Sequence, residues 1–322
     1  MRPTLALFSE AKGGPNLTTK AAASAICALL AIVAAPLASS ASTAAGSWTA
    51  TADMAVPRNS LTATPLENGR VLVVGGTGES TAELYDPPTG TWIPGGTLNE
   101  PRGLHEAVRL RDGRVLVAGG AYTASAELYD PATNRWTPTG SMTIDRFGFT
   151  ATLLRDGRVL VVGGQSGNGT GVQASAELYD PATGRWTSTG SLRTPRLDHM
   201  ATLLPDGTVL VAGGSNSEGF LRSAELYDPV RGRWKRVTPM TIARGNGSAT
   251  LLGNGRVLVA GGANYNATAI YGELYDPASG RWTLTARMTD YHGSEAVVLK
   301  DGRVLLAGGG YAGDVYSPAN GT

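Results

Sequence analysis

Cysteine is nearly absent: 322 residues contain one, Cys27. That excludes a disulfide framework and any metal site built on several thiolates. Charge is also scarce, at 16% of residues, and 27 basic side chains balance 26 acidic ones, so a nucleic-acid binder driven by bulk charge is not expected. Three histidines limit imidazole chemistry to His105, His199 and His292. No G-x-S-x-G, phosphate-binding glycine loop or H-E-x-x-H occurs, which removes the common hydrolase, nucleotide and zinc-protease signatures. Glycine, in contrast, is abundant at 44 residues and follows no three-residue period, which excludes collagen and points to many tight turns between short strands. The length is enough for a sizeable core.

The N-terminus reads as a targeting segment. Arg2, Lys12 and Lys20 precede an uncharged apolar run from Ala21 to Ala35, and small residues follow from Pro36 to Gly46. A basic start, an apolar stretch of about 15 residues and small-residue cleavage sites form the pattern of a signal peptide. Cleavage is expected after Ala41 or Ala44, with residues 1–44 as signal peptide and 45–322 as a chain secreted to the extracellular space or periplasm. The run is short for an anchor helix, so no membrane span is expected after processing. Its three basic residues and Glu10 give a net of +2, so the total of +1 becomes −1 after cleavage.

The remainder is one unit repeated six times. Gly-Gly pairs begin at 75, 119, 163, 213, 261 and 308, spaced 44 to 50 residues apart, and Trp48, Trp92, Trp136, Trp186, Trp234 and Trp282 keep the same rhythm. Five units share Glu-Leu-Tyr-Asp-Pro, starting at Glu83, Glu127, Glu177, Glu225 and Glu273, while the sixth reads Asp314-Val-Tyr-Ser-Pro318. Each unit predicts four short strands. The first pair is joined by Asn-Gly or Asp-Gly, expected as a two-residue type I′ turn with φ > 0 at both positions. The second strand is a nearly continuous apolar run such as Val115-Leu-Val-Ala118, as expected when both faces are covered. Four strands on this period make a propeller blade. The predicted fold class is all-β: a six-bladed β-propeller of four-stranded antiparallel blades over residues 45–322. The sixth unit lacks a Trp strand, and Ser47-Trp48-Thr49 is an orphan one, so a strand over 46–51 is expected to complete blade six and close the ring.

Gly-Gly, then Tyr, then Trp on this period resembles the kelch repeat, across about residues 46–322. The resemblance implies a propeller, and kelch adaptor domains take acidic peptides with arginines from the loop between blades. Blade six, with Tyr291-His292, Asp301-Gly-Arg-Val and Gly308-Gly-Gly310, is also similar to the last kelch blade of galactose oxidase-like copper-radical enzymes, where a Tyr-His pair ligates copper. Those enzymes need a Cys cross-linked to a second Tyr and another His. The mature chain has no Cys, and the corresponding positions hold Ser60 and Leu104. The resemblance is thus to a galactose oxidase-like fold without the copper-radical site; neither metal nor cofactor is assigned.

In such a blade the 1–2 and 3–4 turns lie on one face, and the 2–3 and inter-blade 4–1 loops on the other. The first face is monotonous. The 2–3 loops vary from four residues (Gly310–Gly313) to twelve (Gln165–Ala176), and function on a rigid scaffold concentrates in such loops. Ten residues after the Trp stand Arg58, Arg102, Arg146, Arg196 and Arg244, with Tyr291 at the sixth position. Two readings are open: an anion-binding ring, or arginines that tie each loop to the blades through carbonyls. The repeated Glu and Asp314 read as hydrogen-bonding groups between blades. His105, His199 and His292 start strand one in alternate blades, either as metal or ligand groups at the channel or as ordinary repeat positions. Phe220, Tyr122, Tyr265, Tyr271 and Tyr311 are loop aromatics able to stack on a ligand, and Asn168, Asn246 and Asn266 sit in glycosylation sequons. The resulting expectation is a secreted, monomeric binding or scaffold module for a peptide, protein or glycan, with no nucleic-acid partner. The alternative is a carbohydrate-active enzyme or degenerate galactose oxidase-like protein on the same scaffold.

Overall fold

The structure, a computed structural model, describes residues 50–76, 78–264, 270–289, 295–307 and 313–318. It is all-β, with six sequential blades in a ring. Blade one is β1 (Thr62–Pro65), β2 (Val71–Val74), β3 (Thr81–Asp86) and β4 (Thr91–Thr97). Blade two is β5 (Glu106–Arg109), β6 (Val115–Ala118), β7 (Ala126–Asp130) and β8 (Arg135–Thr139). Blade three is β9 (Thr150–Leu153), β10 (Val159–Val162), β11 (Ala176–Asp180) and β12 (Arg185–Thr189). Blade four is β13 (Met200–Leu203), β14 (Val209–Ala212), β17 (Ala224–Asp228) and β18 (Arg233–Val237), with a small hairpin, β15 (Ser215–Asn216) and β16 (Gly219–Phe220), in its 2–3 loop. Blade five is β19 (Ser248–Leu251), β20 (Val257–Ala260), β21 (Tyr271–Asp276) and β22 (Arg281–Arg287), and blade six contributes β23 (Glu295–Val298), β24 (Val304–Ala307) and β25 (Asp314–Tyr316). Each blade is an antiparallel meander, and each described inner strand contacts the next from β1 to β23.

The period-2 alternation of the second strand builds the core. In β6, Leu116 and Ala118 face Val159 and Val161 of β10, while Val115 and Val117 face Leu72 and Val74 of β2. The same interlock joins blades three to four, four to five and five to six. A fully apolar strand is therefore required, because both its faces are between blades. Tyr and Trp pair across strands three and four with ring centroids 4.9–5.1 Å apart and tilted by 44–50°. The Trp of blades two to five then reaches the preceding blade: Trp136 Nε1 donates to Gly95 O at 2.8 Å and Trp186 Nε1 to Gly140 O at 2.7 Å, with Trp234 and Trp282 alike.

The Asn-Gly and Asp-Gly turns differ from expectation. Only the Gly has positive φ, from +81° to +91° in the six turns. The loop is three residues long, one more than expected: Leu110 N–H donates to Arg114 O across Arg111-Asp112-Gly113, and Gly113 N–H to Leu110 O. Asp112 or its counterpart accepts the backbone N–H two residues on, as at Arg114 (3.1 Å) and Arg158 (3.0 Å). This side-chain bond holds the Asx residue at negative φ and leaves the left-handed position to Gly alone, a type I turn with a glycine bulge.

Blade six shows three strands among the described residues, and Val315 on β25 is 43% exposed where Leu84, Leu128 and Leu178 at the same position are 4–7% exposed. At the other end of the described chain, Ala52 N–H donates to Gly90 O at 3.4 Å and its carbonyl accepts Trp92 Nε1 at 2.9 Å. Gly140 makes the same pair of bonds to Gly184 and Trp186, and Gly190 to Gly232 and Trp234. Ala52 thus stands toward blade one as the end of an outer strand stands toward its following blade. Of the strand expected over 46–51, Ala50 and Thr51 are irregular, and the rest, with Trp48 and the signal segment, lies outside the described residues.

Candidate functional site

The five loops that enter blades one to five carry their arginines inward, beneath the loop face. Arg146 Nη1 donates to Gly163 O (2.8 Å) and Ser175 O (3.2 Å), and Nη2 to Ser175 Oγ (3.2 Å) and Glu177 (2.8 Å). Arg58, Arg102 and Arg196 repeat this pattern with Glu83, Glu127 and Glu225, and Arg244 stands 3.7 Å from Glu273. All five arginine side chains are 0% exposed. The glutamates also accept loop N–H groups, for example Thr143 N–H on Glu177 at 3.0 Å. Burial draws the Arg102, Arg146 and Arg196 guanidiniums below the usual arginine range and Arg244 to about 10, against the opposing pull of the glutamates. The loop backbone faces the preceding blade instead: Arg196 O accepts the N–H of Gly164, and a Cβ on Gly163 would fall 2.5 Å from that oxygen. Through side chain and backbone together, the loops of Arg102, Arg146, Arg196 and Arg244 are each tied to two blades, and a ligand at the mouth meets none of the five guanidiniums in this conformation. Tyr291 lies outside the described residues.

The histidines are likewise inside the fold. His105 Nε2 shares a hydrogen bond with Thr62 Oγ1 (2.8 Å), and His199 Nε2 with Thr150 Oγ1 (2.9 Å), each across a different seam between blades. Their Nδ1 atoms are buried without partners. Burial, reinforced by the adjacent arginine, pushes both down to about 3, so the rings are neutral at physiological pH. The structure does not bring them together; His292 lies outside the described residues. Among the described residues no group of three His, Cys, Asp or Glu is placed to hold a metal ion. Ser60, Leu104 and Gly148 at the mouth are not a copper donor set.

The same loops share a feature the repeats did not announce. Ser60, Leu104, Gly148, Asp198 and Asn246, one at the entry to each of blades one to five, all adopt left-handed φ of +53° to +61°. Backbone bonds link them from blade to blade: Leu104 N–H to Ser60 O (3.0 Å), Asp198 N–H to Gly148 O (2.7 Å) and Asn246 N–H to Asp198 O (2.8 Å). A Cβ at 148 would lie 2.7 Å from Asp198 Oδ1, so glycine makes room for that carboxylate, whose Oδ2 accepts Asn246 Nδ2 at 3.3 Å. Asn and Asp tolerate this conformation, whereas Leu104 is held there only by its surroundings.

Above the mouth, the twelve-residue loop of blade three is pinned by Asp145. Its carboxylate accepts Ser166 Oγ (2.8 Å) and the N–H groups of Gly167 (2.7 Å) and Asn168 (3.3 Å), and these bonds hold its carboxyl below the usual range against the opposing effect of burial. Asp145 was detectable in sequence, since three of the other four loops have Pro before the arginine. Tyr122 is 77% exposed and touches the Gly167 backbone region, presenting an aromatic face beside this loop. Phe220 is turned inward over Gly245. Tyr265 and Tyr311 lie outside the described residues.

The kelch motif family matches residues 147–193 and 198–241, which are blades three and four. The chain is a six-bladed β-propeller that carries kelch motifs. Among solved structures, this kelch propeller superposes on YjhT with a TM-score of 0.64 at 15% identity, covering 82% of this chain and 98% of that one. It superposes on a fungal alcohol oxidase of the AA5 family, in complex with copper, with a TM-score of 0.54 at 20% identity, covering 85% and 76%. These likenesses are of fold. No curated protein matches the kelch propeller in sequence. Among its described residues no helix is long and apolar enough to cross a membrane.

Proposed function

We propose that this kelch propeller is an exported binding module that takes a peptide, protein or glycan on its 2–3/4–1 loop face. One observation carries the reading: the two faces are built on opposite principles. The Asp-Gly face repeats one self-satisfied turn in every blade. The opposite face sets loops of different length on a rigid arginine–glutamate base, pins the longest described one through Asp145, and exposes Tyr122 beside it. A fixed base with variable, anchored loops supports selective recognition. Export rests on the N-terminal pattern of residues 1–44.

Glycan and peptide arrays probed with the mature chain test the reading. The expected result is a small set of related hits that weaken in Tyr122→Ala and Asp145→Ala while the melting temperature stays within a few degrees. Hits that are unaffected by both variants contradict it. Cell fractionation tests export, with the processed protein expected outside the cytoplasm.

A further inference from the structure

The outer strand of blade four departs from the other blades in one respect. At the two positions after Trp, the others carry Ile93-Pro94, Thr137-Pro138, Thr187-Ser188 and Thr283-Leu284, whereas β18 carries Lys235-Arg236. Arg233 precedes them on the strand, Arg231 sits in the preceding turn, Arg222 lies beside the strand's far end through Met240, and Arg193 approaches through its N–H bond to Glu225. All six are exposed. Arg231 pairs with Asp228 at 2.7 Å. Arg193, Arg222, Arg233, Lys235 and Arg236 make no ion pair among the described residues. The blade's acids do not compensate them: Glu225 is buried with Arg196, Asp206 accepts Thr208, and Glu218 is out at the tip of the β15–β16 hairpin. In a chain of net charge +1, five unpaired cations on one blade are an organised feature.

We propose that this rim binds an acidic polysaccharide, through its carboxylate or sulfate groups, independently of the loop face. Five strand residues at about 3.3 Å each make a strip roughly 17 Å long, with cations on both sides of the strand, which suits a linear polymer bearing regular charges. Guanidinium and ammonium groups give charge-assisted bonds to carboxylate and sulfate. A nucleic acid fits less well, because Trp234 is half-buried against Tyr227 and offers no stacking platform. A membrane fits less well, because among the described residues Val230 is the only strongly exposed apolar side chain beside the strip. Protection of a sheet edge does not account for the charges, since the other described outer strands manage with fewer cations: none on β4, one Arg each on β8 and β12, and two on β22.

Titration of the mature chain with polygalacturonate and with a sulfated oligosaccharide, beside neutral dextran, tests the proposal. Binding is expected to one or both acidic glycans, to weaken with salt and to be absent for dextran. Lys235→Thr with Arg236→Ser, which copies blade three, is expected to weaken binding about tenfold and flatten its salt dependence without moving the melting temperature. Asp145→Ala and Arg185→Ala are expected to leave it unchanged, which separates this surface from the loop face. The proposal is overturned by no binding to either acidic glycan, by unaltered affinity in the double variant, or by equal or tighter binding of duplex DNA or anionic vesicles.

Discussion

Arg196→Ala tests whether the arginine ring belongs to the framework. The side chain makes four hydrogen bonds, to Gly213 O, Ser223 O, Ser223 Oγ and Glu225, and is fully buried. Its removal leaves Glu225 inside the protein with only the N–H groups of Arg193 and Thr194. Removing one partner of a buried ion pair costs about 3–5 kcal/mol, chiefly from the stranded charge. At about 2 °C per kcal/mol for a domain of this size, melting should fall by roughly 6–10 °C. Glu225→Gln added to Arg196→Ala removes the stranded charge and should return part of that loss, which a double-mutant cycle by thermal or denaturant unfolding measures. The reasoning is refuted if Arg196→Ala melts within about 2 °C of the parent, and an accompanying loss of acidic-ligand binding would then restore the anion-site reading.

Deletion of residues 45–52 should cause aggregation or a large drop in melting temperature, because it removes the expected partner of the β25 edge, unpaired among the described residues, and the Ala52 bonds to blade one; unchanged melting would sink the closure expectation. His105 and His199 have folded values of about 3, below the ordinary 6.5, so the unfolded chain binds more protons between these limits. Their contribution is therefore full above about pH 6.5 and lost as pH falls toward 3, and replacing both with Gln should flatten the unfolding free energy over that window. Gly163→Ala, whose Cβ would meet Arg196 O at 2.5 Å, should destabilise by on the order of 2–3 kcal/mol, against about 1 kcal/mol for Gly69→Ala, which meets nothing within 4 Å.

Much of the architecture was legible because each blade repeats the same burial problem. The Tyr-to-Trp spacing set the register of strands three and four, and the apolar run of strand two had to lie between blades. The turn type was not legible from the Asp-Gly dipeptide, since the deciding bond runs from the Asp carboxylate to a backbone N–H two residues away. The arginine's inward course was available as a correlation among repeats: the blade without that arginine is also the one with Asp314 in place of Glu. His105 and His199 likewise coincide with Thr62 and Thr150 in the preceding blades. The left-handed ring was hidden because it is a property of the backbone, shared by Ser60, Leu104, Gly148, Asp198 and Asn246, which have no side-chain chemistry in common.

Hydrogen exchange of residues 45–322 with and without the strongest array ligand tests the central functional claim most directly. Protection is expected in the 2–3 loops, above all residues 165–175 and 215–222, and in the 4–1 loops around Leu104 and Asp198. Protection confined to the Asp-Gly turns near residues 112, 156 and 206 would contradict it.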